Sequence, residues 1–187
     1  MRHDPLYQPI TVGQFLDIEF PDGRKYELVD GVIRMMTGGT PAHSRVATNI
    51  LVYLANKLRG TGCRAYNSDM AVAVTESNLR YPDVSVFCGD PASFEREEQR
   101  FYTDPVVIVE VLSTSTVKID EGEKLAEYRR LPTVDTIVLV DPHNELSRVF
   151  QRLGPTSWRD DLFAQPHDVD LPALKLSLPF AEIFARD

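Results

Sequence analysis

Glu110 is the only charged residue in VVIVEVLS, a largely apolar segment that spans residues 106–113. Successive side chains of a β-strand point to opposite faces of a sheet, and neither face of this segment is polar. Such a pattern is typical of a central strand that is covered on both sides. An ionised carboxylate there is strongly destabilising unless it is paired with a cation, bound to a metal ion or protonated. We therefore expect Glu110 either to form a buried salt bridge or to belong to a functional site.

Asp83 is a second carboxylate in an unusual place. It follows Pro82 and begins the apolar run of residues 84–87, although Asp and Pro are both disfavoured inside strands. At the start of a strand, Asp83 could simply cap a turn. Together with Glu110 on a neighbouring strand, it could instead supply the carboxylate oxygens that hard divalent cations bind.

Lys124 is a candidate for the third member of such a site. Asp120 and Glu123 form an aspartate version of the capping box, which predicts a helix from Asp120 to about Arg130. Lys124 and Tyr128 are four residues apart and share a helix face, which we expect to pack towards the sheet. There the lysine could orient or deprotonate water and stabilise charge on a phosphate. The alternative is an exposed lysine or an ion pair within its own helix. The opposite helix face would carry the charged residues Glu123, Glu127 and Arg130.

The remaining sequence predicts an α/β fold that can position these side chains. Asp30–Gly31 lies between two β-forming runs and predicts a hairpin with a two-residue turn. Thr40–Pro41 is typical of a helix start, and apolar residues at spacings of four continue that helix to about Arg59. A short helix is predicted from Thr11 to Ile18. Further strands are predicted at residues 63–66, 69–74, 80–87, 106–112, 136–140 and 146–153. Several strands with two principal helices indicate a mixed sheet flanked by helices.

Length and composition indicate one domain over residues 1–187. The chain is 43% hydrophobic and 26% charged, as in ordinary globular proteins, and its formal net charge is −8. This charge argues against a simple DNA-binding module, because phosphate contacts would need a local basic patch or metal ions. No segment is long and apolar enough to span a membrane, and the N-terminus does not resemble a signal peptide, so we expect a cytoplasmic protein.

Two smaller features also lead to expectations. Cys63 and Cys88 are too few for a disulfide framework and lie outside any CxxC motif, so we expect core or strand residues. The polar connection over residues 89–105 is long for a loop in a compact domain. It is expected to be either a mobile flap or an oligomer contact.

Five motifs occur in order along the chain: YELVDG from residue 26, PDVSV from 82, VEVLS from 109, DEGEKLAEY from 120 and IVLVDP from 137. This ordered set resembles the Uma-two family of endonucleases, in the PD-(D/E)xK or restriction-endonuclease-like superfamily. The resemblance extends from Tyr26 to Pro142. It implies a restriction-endonuclease-like mixed central β-sheet flanked by α-helices, with an N-terminal β-hairpin.

The resemblance also implies a function. It points to hydrolysis of phosphodiester bonds, of DNA, that depends on Mg²⁺ or Mn²⁺ held by Asp83 and Glu110. The lysine that the superfamily places two residues after the glutamate is replaced here by Leu112, which neither donates a proton nor holds a phosphate. Lys124 matches a lysine on the following helix of the Uma-two pattern. Many enzymes of this superfamily are dimers, and cutting both DNA strands would favour a homodimer.

Glu27, His43 and Ser113 have weaker support. Glu27 matches an acidic position of the family and could join the catalytic metal site. A two-residue turn would also set it opposite Arg34, so a cross-strand ion pair is the alternative. His43 resembles the family's histidine after the hairpin and could contact substrate or a metal-bound water. It lies in the first turn of a helix, where the dipole disfavours a positive imidazole, and a structural role is the alternative. Ser113 could position a phosphate or cap the turn.

Two other classes of function stay open at the level of sequence. Leu112 and the acidic composition permit a catalytically inactive nuclease-like domain that binds a protein or a nucleic acid. A non-haem iron enzyme would use His43, but its usual triad needs two histidines and one carboxylate. The other histidines lie in no supporting motif: His3, His143 and His167.

Overall fold

The described residues of the computed structural model, 8–21, 23–90, 100–113 and 120–186, form an α/β fold in which helices pack on β-sheets. Residues 91–99, most of the connection expected to be a flap or an oligomer contact, lie outside the described residues. The helices are α1 Val12–Leu16, α2 Pro41–Lys57, α3 Leu125–Tyr128 and α4 Phe180–Ile183. The strands are β1 Tyr26–Val29, β2 Val32–Met35, β3 Cys63–Asn67, β4 Ala71–Thr75, β5 Asn78–Arg80, β6 Val84–Cys88, β7 Phe101–Tyr102, β8 Val107–Val111, β9 Thr136–Asp141, β10 Leu146–Arg152, β11 Trp158–Phe163, β12 Val169–Leu171 and β13 Leu176–Leu178.

A six-stranded sheet, called here the central sheet, contains the Glu110 strand near its middle. Its order is β11-β10-β9-β8-β6-β3, in which β8 and β9 are parallel and the other neighbours antiparallel. The valines of β8 pack in a core that includes α2, whereas Ile108 packs in a second core with Leu125 and Tyr128 of α3. The prediction of a central strand that is covered on both faces is confirmed.

A second sheet of five strands, the hairpin sheet, has the order β2-β1-β5-β4-β7. Strands β1 and β2 form the predicted hairpin, and its turn residues Asp30 and Gly31 have φ values of 49° and 76°. Positive φ at both positions is what a two-residue turn requires, and it explains the Asp-Gly pair. The predicted restriction-endonuclease-like architecture, with mixed sheet strands, flanking helices and an N-terminal hairpin, is confirmed. The described strands divide among the central sheet, the hairpin sheet and a two-stranded sheet of β12 and β13.

The division between the sheets occurs at Pro82. The sequence predicts one strand over residues 80–87, but β5 ends at Arg80 in the hairpin sheet and β6 begins at Val84 in the central sheet. Proline has no N–H to donate to a strand ladder, so the chain leaves one sheet there and enters the other. Asp83 consequently lies at the junction, beside the start of β6.

Helix α2 closely matches its prediction. Thr40 is the N-cap, and its hydroxyl accepts a hydrogen bond from the His43 N–H at 3.2 Å. The buried residues Val46, Ile50 and Leu54 place one face of the helix against the central sheet. The N-terminal turn of α2 is thereby fixed at the edge of the sheet, with His43 in it.

The helix predicted from Asp120 to about Arg130 has an unexpected first turn. Asp120–Lys124 is a π-helical turn, and only Leu125–Tyr128 is α-helical. Such wide turns are rare and frequently occur at functional sites. The expectation that Glu127 lies on the outward face is wrong, because this residue is only 8% exposed.

The two cysteines occupy strands, as expected, but they are also bonded to each other. Cys63 of β3 lies directly opposite Cys88 of β6 in the antiparallel register, and a disulfide joins them. Counting cysteines did not predict this bond, because it depends on the register of two strands that are 25 residues apart in the chain.

Candidate active site

A cavity of about 370 Å³ brings together four of the five predicted catalytic residues. Its lining includes His43, Asp83, Glu110 and Lys124, and also Ser113. The convergence follows from the topology: β6 and β8 are antiparallel, so the start of β6 lies beside the end of β8. The first turn of α2 and the π-helical turn before α3 complete the lining with His43 and Lys124.

Asp83 is fixed to the end of the Glu110 strand by a hydrogen bond. The N–H of Val111 donates to Asp83 Oδ2 at 2.8 Å, which continues the β6–β8 pairing with a side chain in place of a backbone carbonyl. His43 Nε2 lies 3.1 Å from the same oxygen. Both side chains are mostly buried, with exposures of 17% for Asp83 and 18% for His43. The interaction therefore holds the carboxylate and the imidazole together at the cavity wall.

The position of His43 depends on a close approach to Gly39. A Cβ added at Gly39 would lie 2.5 Å from His43 Nδ1 and 2.8 Å from the adjacent ring carbon Cγ. Any side chain at residue 39 would therefore displace the imidazole ring. The loop before α2 thus supports the contact between His43 and Asp83.

Glu110 is almost completely buried, and its Oε1 atom has two neighbours from the helical segment. Lys124 Nζ lies 3.1 Å from this oxygen, and the Tyr128 hydroxyl donates to it at 2.7 Å. Burial, followed by the negative charge of Glu110, raises the pKa of Tyr128 well above its usual value of 10.0. The tyrosine is therefore a stable hydrogen-bond donor to Glu110 at neutral pH.

Lys124 contacts Glu110, whereas Leu112, which stands at the position of the superfamily's lysine, does not line the cavity. Leu112, two residues after Glu110, packs with the core that contains Ile108 and Tyr128, and its backbone N–H bonds to Val140. Lys124 reaches the Glu110 carboxylate instead. The expectation that Lys124 and Tyr128 share a face that packs towards the sheet is confirmed.

Glu27 is not among the residues that line this cavity. It lies opposite Arg34 in the β1–β2 register, as predicted, but its Oε1 accepts a hydrogen bond from Arg80 at 2.9 Å. Arg34 pairs with Glu123 instead, so the proposed cross-strand ion pair is wrong. The other oxygen of Glu27, Oε2, is buried without a hydrogen-bond partner. Its assignment as a metal ligand stays a prediction.

Arg80 is the centre of a buried cluster that was not anticipated. Its side chain has no exposed surface, and its Nε and Nη2 atoms donate to both oxygens of Glu127 at 2.7 and 2.8 Å. The Asn78 amide donates to Glu127 at 2.8 Å. The cluster ties β5 and β1 to α3, which carries Tyr128. The sequence does show a cation, Arg80, directly before the YPD motif. It does not predict the cluster, because Glu127 and Glu27 lie 47 and 53 residues away along the chain.

The oxygen atoms that line the cavity suit a hard divalent cation, although few of them belong to side chains. Asp83 and Glu110 supply carboxylate oxygens, and Oδ1 of Asp83 has no hydrogen bond with the described residues. The N–H and C=O of one strand residue point to the same side, so the Val111 carbonyl is directed towards Asp83. Within the described part of the chain, no group of three His, Cys, Asp or Glu side chains is close enough to hold a metal ion. The backbone carbonyl and water would therefore have to complete the coordination.

The histidines needed for an iron triad do not converge here. Of those in the described ranges, His143 and His167 do not line the cavity, and His167 stacks on Phe163. His3 lies outside the described residues. The arrangement around His43 is therefore one histidine beside carboxylates and a lysine.

A mixed central sheet flanked by helices, with Asp83 and Glu110 at adjoining strand ends, places the chain in the class of restriction-endonuclease-like nuclease folds. Within that class, the chain belongs to the Uma2 family, described as "Putative restriction endonuclease", which it matches over residues 12–181. It is 36% identical to the uncharacterized protein slr1290 of Synechocystis sp., over 98% of this chain and 97% of that protein. It is 27% identical to a second uncharacterized Synechocystis protein, sll1609, over 89% of this chain and 95% of that protein.

A solved structure has the same fold. It is a crystal structure from Anabaena variabilis described as "a putative nuclease belonging to DUF820", with a TM-score of 0.74 and 20% sequence identity. The match covers 95% of this chain and 98% of the other. Among the described residues, the helices are all too short or too polar to cross a membrane.

Proposed function

We propose that this protein is a divalent-metal-dependent nuclease that hydrolyses phosphodiester bonds of DNA. The observation that carries the proposal is the convergence of Asp83, Glu110, Lys124 and His43 on one cavity. Membership of an endonuclease family supports the nuclease class. The use of Mg²⁺ or Mn²⁺, the choice of DNA and the residue roles are the parts that need testing.

Asp83 and Glu110 would hold the cation, together with the Val111 carbonyl. When bound, a divalent ion lowers the pKa of a water molecule and offsets charge on the scissile phosphate. Asp83 is prepared for this role because Val111 and His43 already fix its Oδ2 atom. Glu110 is prepared because Lys124 and Tyr128 fix its Oε1 atom. Little reorganisation would be needed when the cation enters.

Lys124 and His43 would act on the substrate. In the reaction, the oxygen of water bonds to phosphorus as the water gives up one proton to the solvent. The bond from phosphorus to the leaving oxygen breaks, and that oxygen takes up one proton from the solvent. Lys124 would orient the attacking water and stabilise the negative charge that develops on the phosphate. His43, which lies 3.1 Å from Asp83 Oδ2, would contact the phosphate or the water. Both positions are fixed by hydrogen bonds or close packing before substrate arrives.

The decisive experiment removes the charge of each carboxylate without changing its shape. Asp83→Asn and Glu110→Gln should each lower Mn²⁺-dependent nicking of plasmid DNA by at least about 100-fold, because charge stabilisation in the transition state is lost. Each should also weaken Mn²⁺ binding in calorimetry. Asp160→Asn is the matched control, since Asp160 is an exposed carboxylate on β11 that pairs with Arg148. Full activity in either site variant would refute the assignment.

Glu27 needs a separate test, because it does not line the cavity and its Oε2 atom is buried without a hydrogen-bond partner. Glu27→Gln keeps an oxygen for Arg80 but removes the charge. Weaker Mn²⁺ binding with unchanged stability would support its role as a third ligand. Reduced stability with unchanged Mn²⁺ binding would assign Glu27 to the Arg80 cluster alone.

The inactive binding module is distinguished by the same measurements. If the wild-type protein binds no Mn²⁺ at millimolar concentration and does not nick plasmid, the nuclease proposal fails. A homodimer, which cleavage of both strands would favour, stays a prediction that sedimentation equilibrium tests directly.

A further inference from the structure

A second cavity of about 240 Å³ adjoins the candidate active site. The two cavities share four lining residues: Arg24, Lys25, Ser68 and Tyr81. The second cavity, called here the side groove, therefore begins where the carboxylate-lined cavity ends. Whatever occupies the active site can extend into the side groove without leaving the protein surface.

The side groove has the opposite charge to most of the molecule. Its lining has three cations, Arg24, Lys25 and Arg100, and one carboxylate, Asp69. The whole chain, by contrast, has a formal net charge of −8. Lys25 pairs with Asp69, and Arg100 lies 3.2 Å from Asp17, but these side chains are all more than half exposed. Exposed ion pairs contribute little to stability, so the two cations can exchange these carboxylates for phosphates at little cost.

Aromatic rings form most of the apolar lining of the side groove, together with Leu16 and Ile18. Phe20 and Tyr26 stack with ring centroids 4.2 Å apart and an angle of 21° between the rings. Tyr81, the aromatic residue shared with the active-site cavity, is also half-buried. Burial raises its pKa, and the nearby Arg100 opposes that shift, which places this arginine close to the phenol. Flat rings beside cations form a surface on which nucleobases stack while their phosphates pair with the cations.

We propose that the side groove binds an unpaired nucleotide of the DNA strand next to the phosphate that is cut. This inference rests on the proposed nuclease function and adds the substrate class, a single-stranded or locally opened strand. A base in a duplex has both faces covered by its neighbours, so only an unpaired base can stack on a protein ring. The continuity of the side groove with the active site suits a single strand that runs from one cavity into the other.

The test compares DNA forms without any divalent ion, so that no cleavage occurs. Fluorescence anisotropy would measure the binding of labelled oligothymidylate and of a duplex of the same length, in EDTA and at two salt concentrations. The wild-type protein should bind the single strand at least about tenfold more tightly than the duplex, because only the single strand can stack a base on a ring of the side groove.

Three variants make the test specific to the side groove. Phe20→Leu keeps an apolar side chain but removes the stacking face, and should weaken single-strand binding about tenfold while duplex binding is unchanged. Arg24→Ala should weaken binding of the single strand several-fold and reduce its salt dependence. Arg59→Ala removes an exposed arginine beyond the other end of α2, roughly 20 Å from His43 along the helix, and should change nothing.

The two proposals fail in different measurements. Equal or tighter binding of the duplex, or unchanged single-strand binding in both Phe20→Leu and Arg24→Ala, would overturn the side-groove proposal. Phe20 packs partly in the core, so if Phe20→Leu lowers the melting temperature, Arg24→Ala alone decides, because its side chain is exposed. Failure of the nuclease proposal would instead appear as absent metal-dependent nicking by the wild-type protein.

Discussion

Two pairs of carboxylates, Asp83 with Glu110 and Glu27 with Glu127, have very different surroundings. The first pair lines a cavity and shares it with Lys124. The second pair is buried against Arg80, whose guanidinium has no exposed surface and donates to both glutamates. Exposure does not separate the pairs, because Glu110 is 2% exposed and Glu27 and Glu127 are 8% exposed each. The difference is the counter-charge: Lys124 lines the cavity together with Glu110, whereas Arg80 is enclosed by the glutamates that it pairs with. We therefore interpret a buried carboxylate as a candidate functional group when its counter-charge also faces a cavity, and as a structural group when its counter-charge is enclosed.

The largest expected effect comes from removing Arg80, the cation that pairs with Glu27 and Glu127. Arg80→Met leaves two carboxylates buried without their cation, which should lower the free energy of unfolding by about 3–5 kcal/mol. Urea denaturation would measure it. The matched control is Arg34→Met, since Arg34 and Glu123 form a similar ion pair with 43% and 52% of their side chains exposed. That control should lose at most about 1 kcal/mol. Equal losses would show that the Arg80 cluster is no more important than a surface pair.

The next largest effect concerns Lys124, the cation beside Glu110 in the cavity. Lys124→Met removes the charge beside Glu110 but keeps the length of the side chain, and should lower the single-turnover cleavage rate about 100-fold. Lys124→Arg should restore part of it. Lys57→Met, at the far end of α2, is the control. A rate that falls no further than in the control would leave Lys124 with a purely structural role.

A smaller effect tests the support of Glu110 by Tyr128. Tyr128→Phe removes one hydrogen bond to a metal-binding carboxylate and should weaken Mn²⁺ binding about tenfold, the lower end of the range for such supporting groups. Tyr53→Phe is the matched control, because the Tyr53 hydroxyl donates to the Ser177 carbonyl. Isothermal titration calorimetry of both variants gives the comparison, and identical affinities would contradict it.

The smallest effect appears only in alkaline solution. The pKa of Tyr128 is raised in the folded protein, so above about pH 10 the unfolded chain loses this proton while the folded chain keeps it. Stability due to Tyr128 is complete below pH 10 and is lost as the pH rises further, by at most about 1.4 kcal/mol per pH unit. Tyr128→Phe should therefore show a shallower alkaline loss of stability than the wild-type protein. An unchanged slope in urea titrations at several pH values would contradict the buried Tyr128–Glu110 contact.

Much of the fold follows from local patterns. The Asp30–Gly31 hairpin, helix α2 and the buried strand around Glu110 were predictable because turn residues, caps and apolar periodicity act within a few residues. The split of one predicted strand at Pro82 was not, although proline is a warning against a continuous strand. Which sheet each half joins depends on pairing with strands far away in the chain.

The candidate site was predictable to a similar extent. The motif order gave Asp83, Glu110, Lys124 and His43, and all four line one cavity. The outward position expected for Glu127 was wrong, because β5 of the hairpin sheet covers another side of this helix and its residues Asn78 and Arg80 donate hydrogen bonds to Glu127. Arg80 could not be assigned partners, since a charged residue in sequence carries no information about where its counter-charges lie.

The sequence by itself determined that a carboxylate lies on a strand buried on both faces, and that an aspartate lies directly before another strand. Strand periodicity is local, so these statements need no other part of the chain. Only the tertiary structure decided that Lys124 reaches Glu110 and that Glu27 bonds to Arg80. Whether a buried acid meets a lysine at a cavity or an arginine in the core depends on which distant segments pack together, because electrostatic pairing requires contact in space.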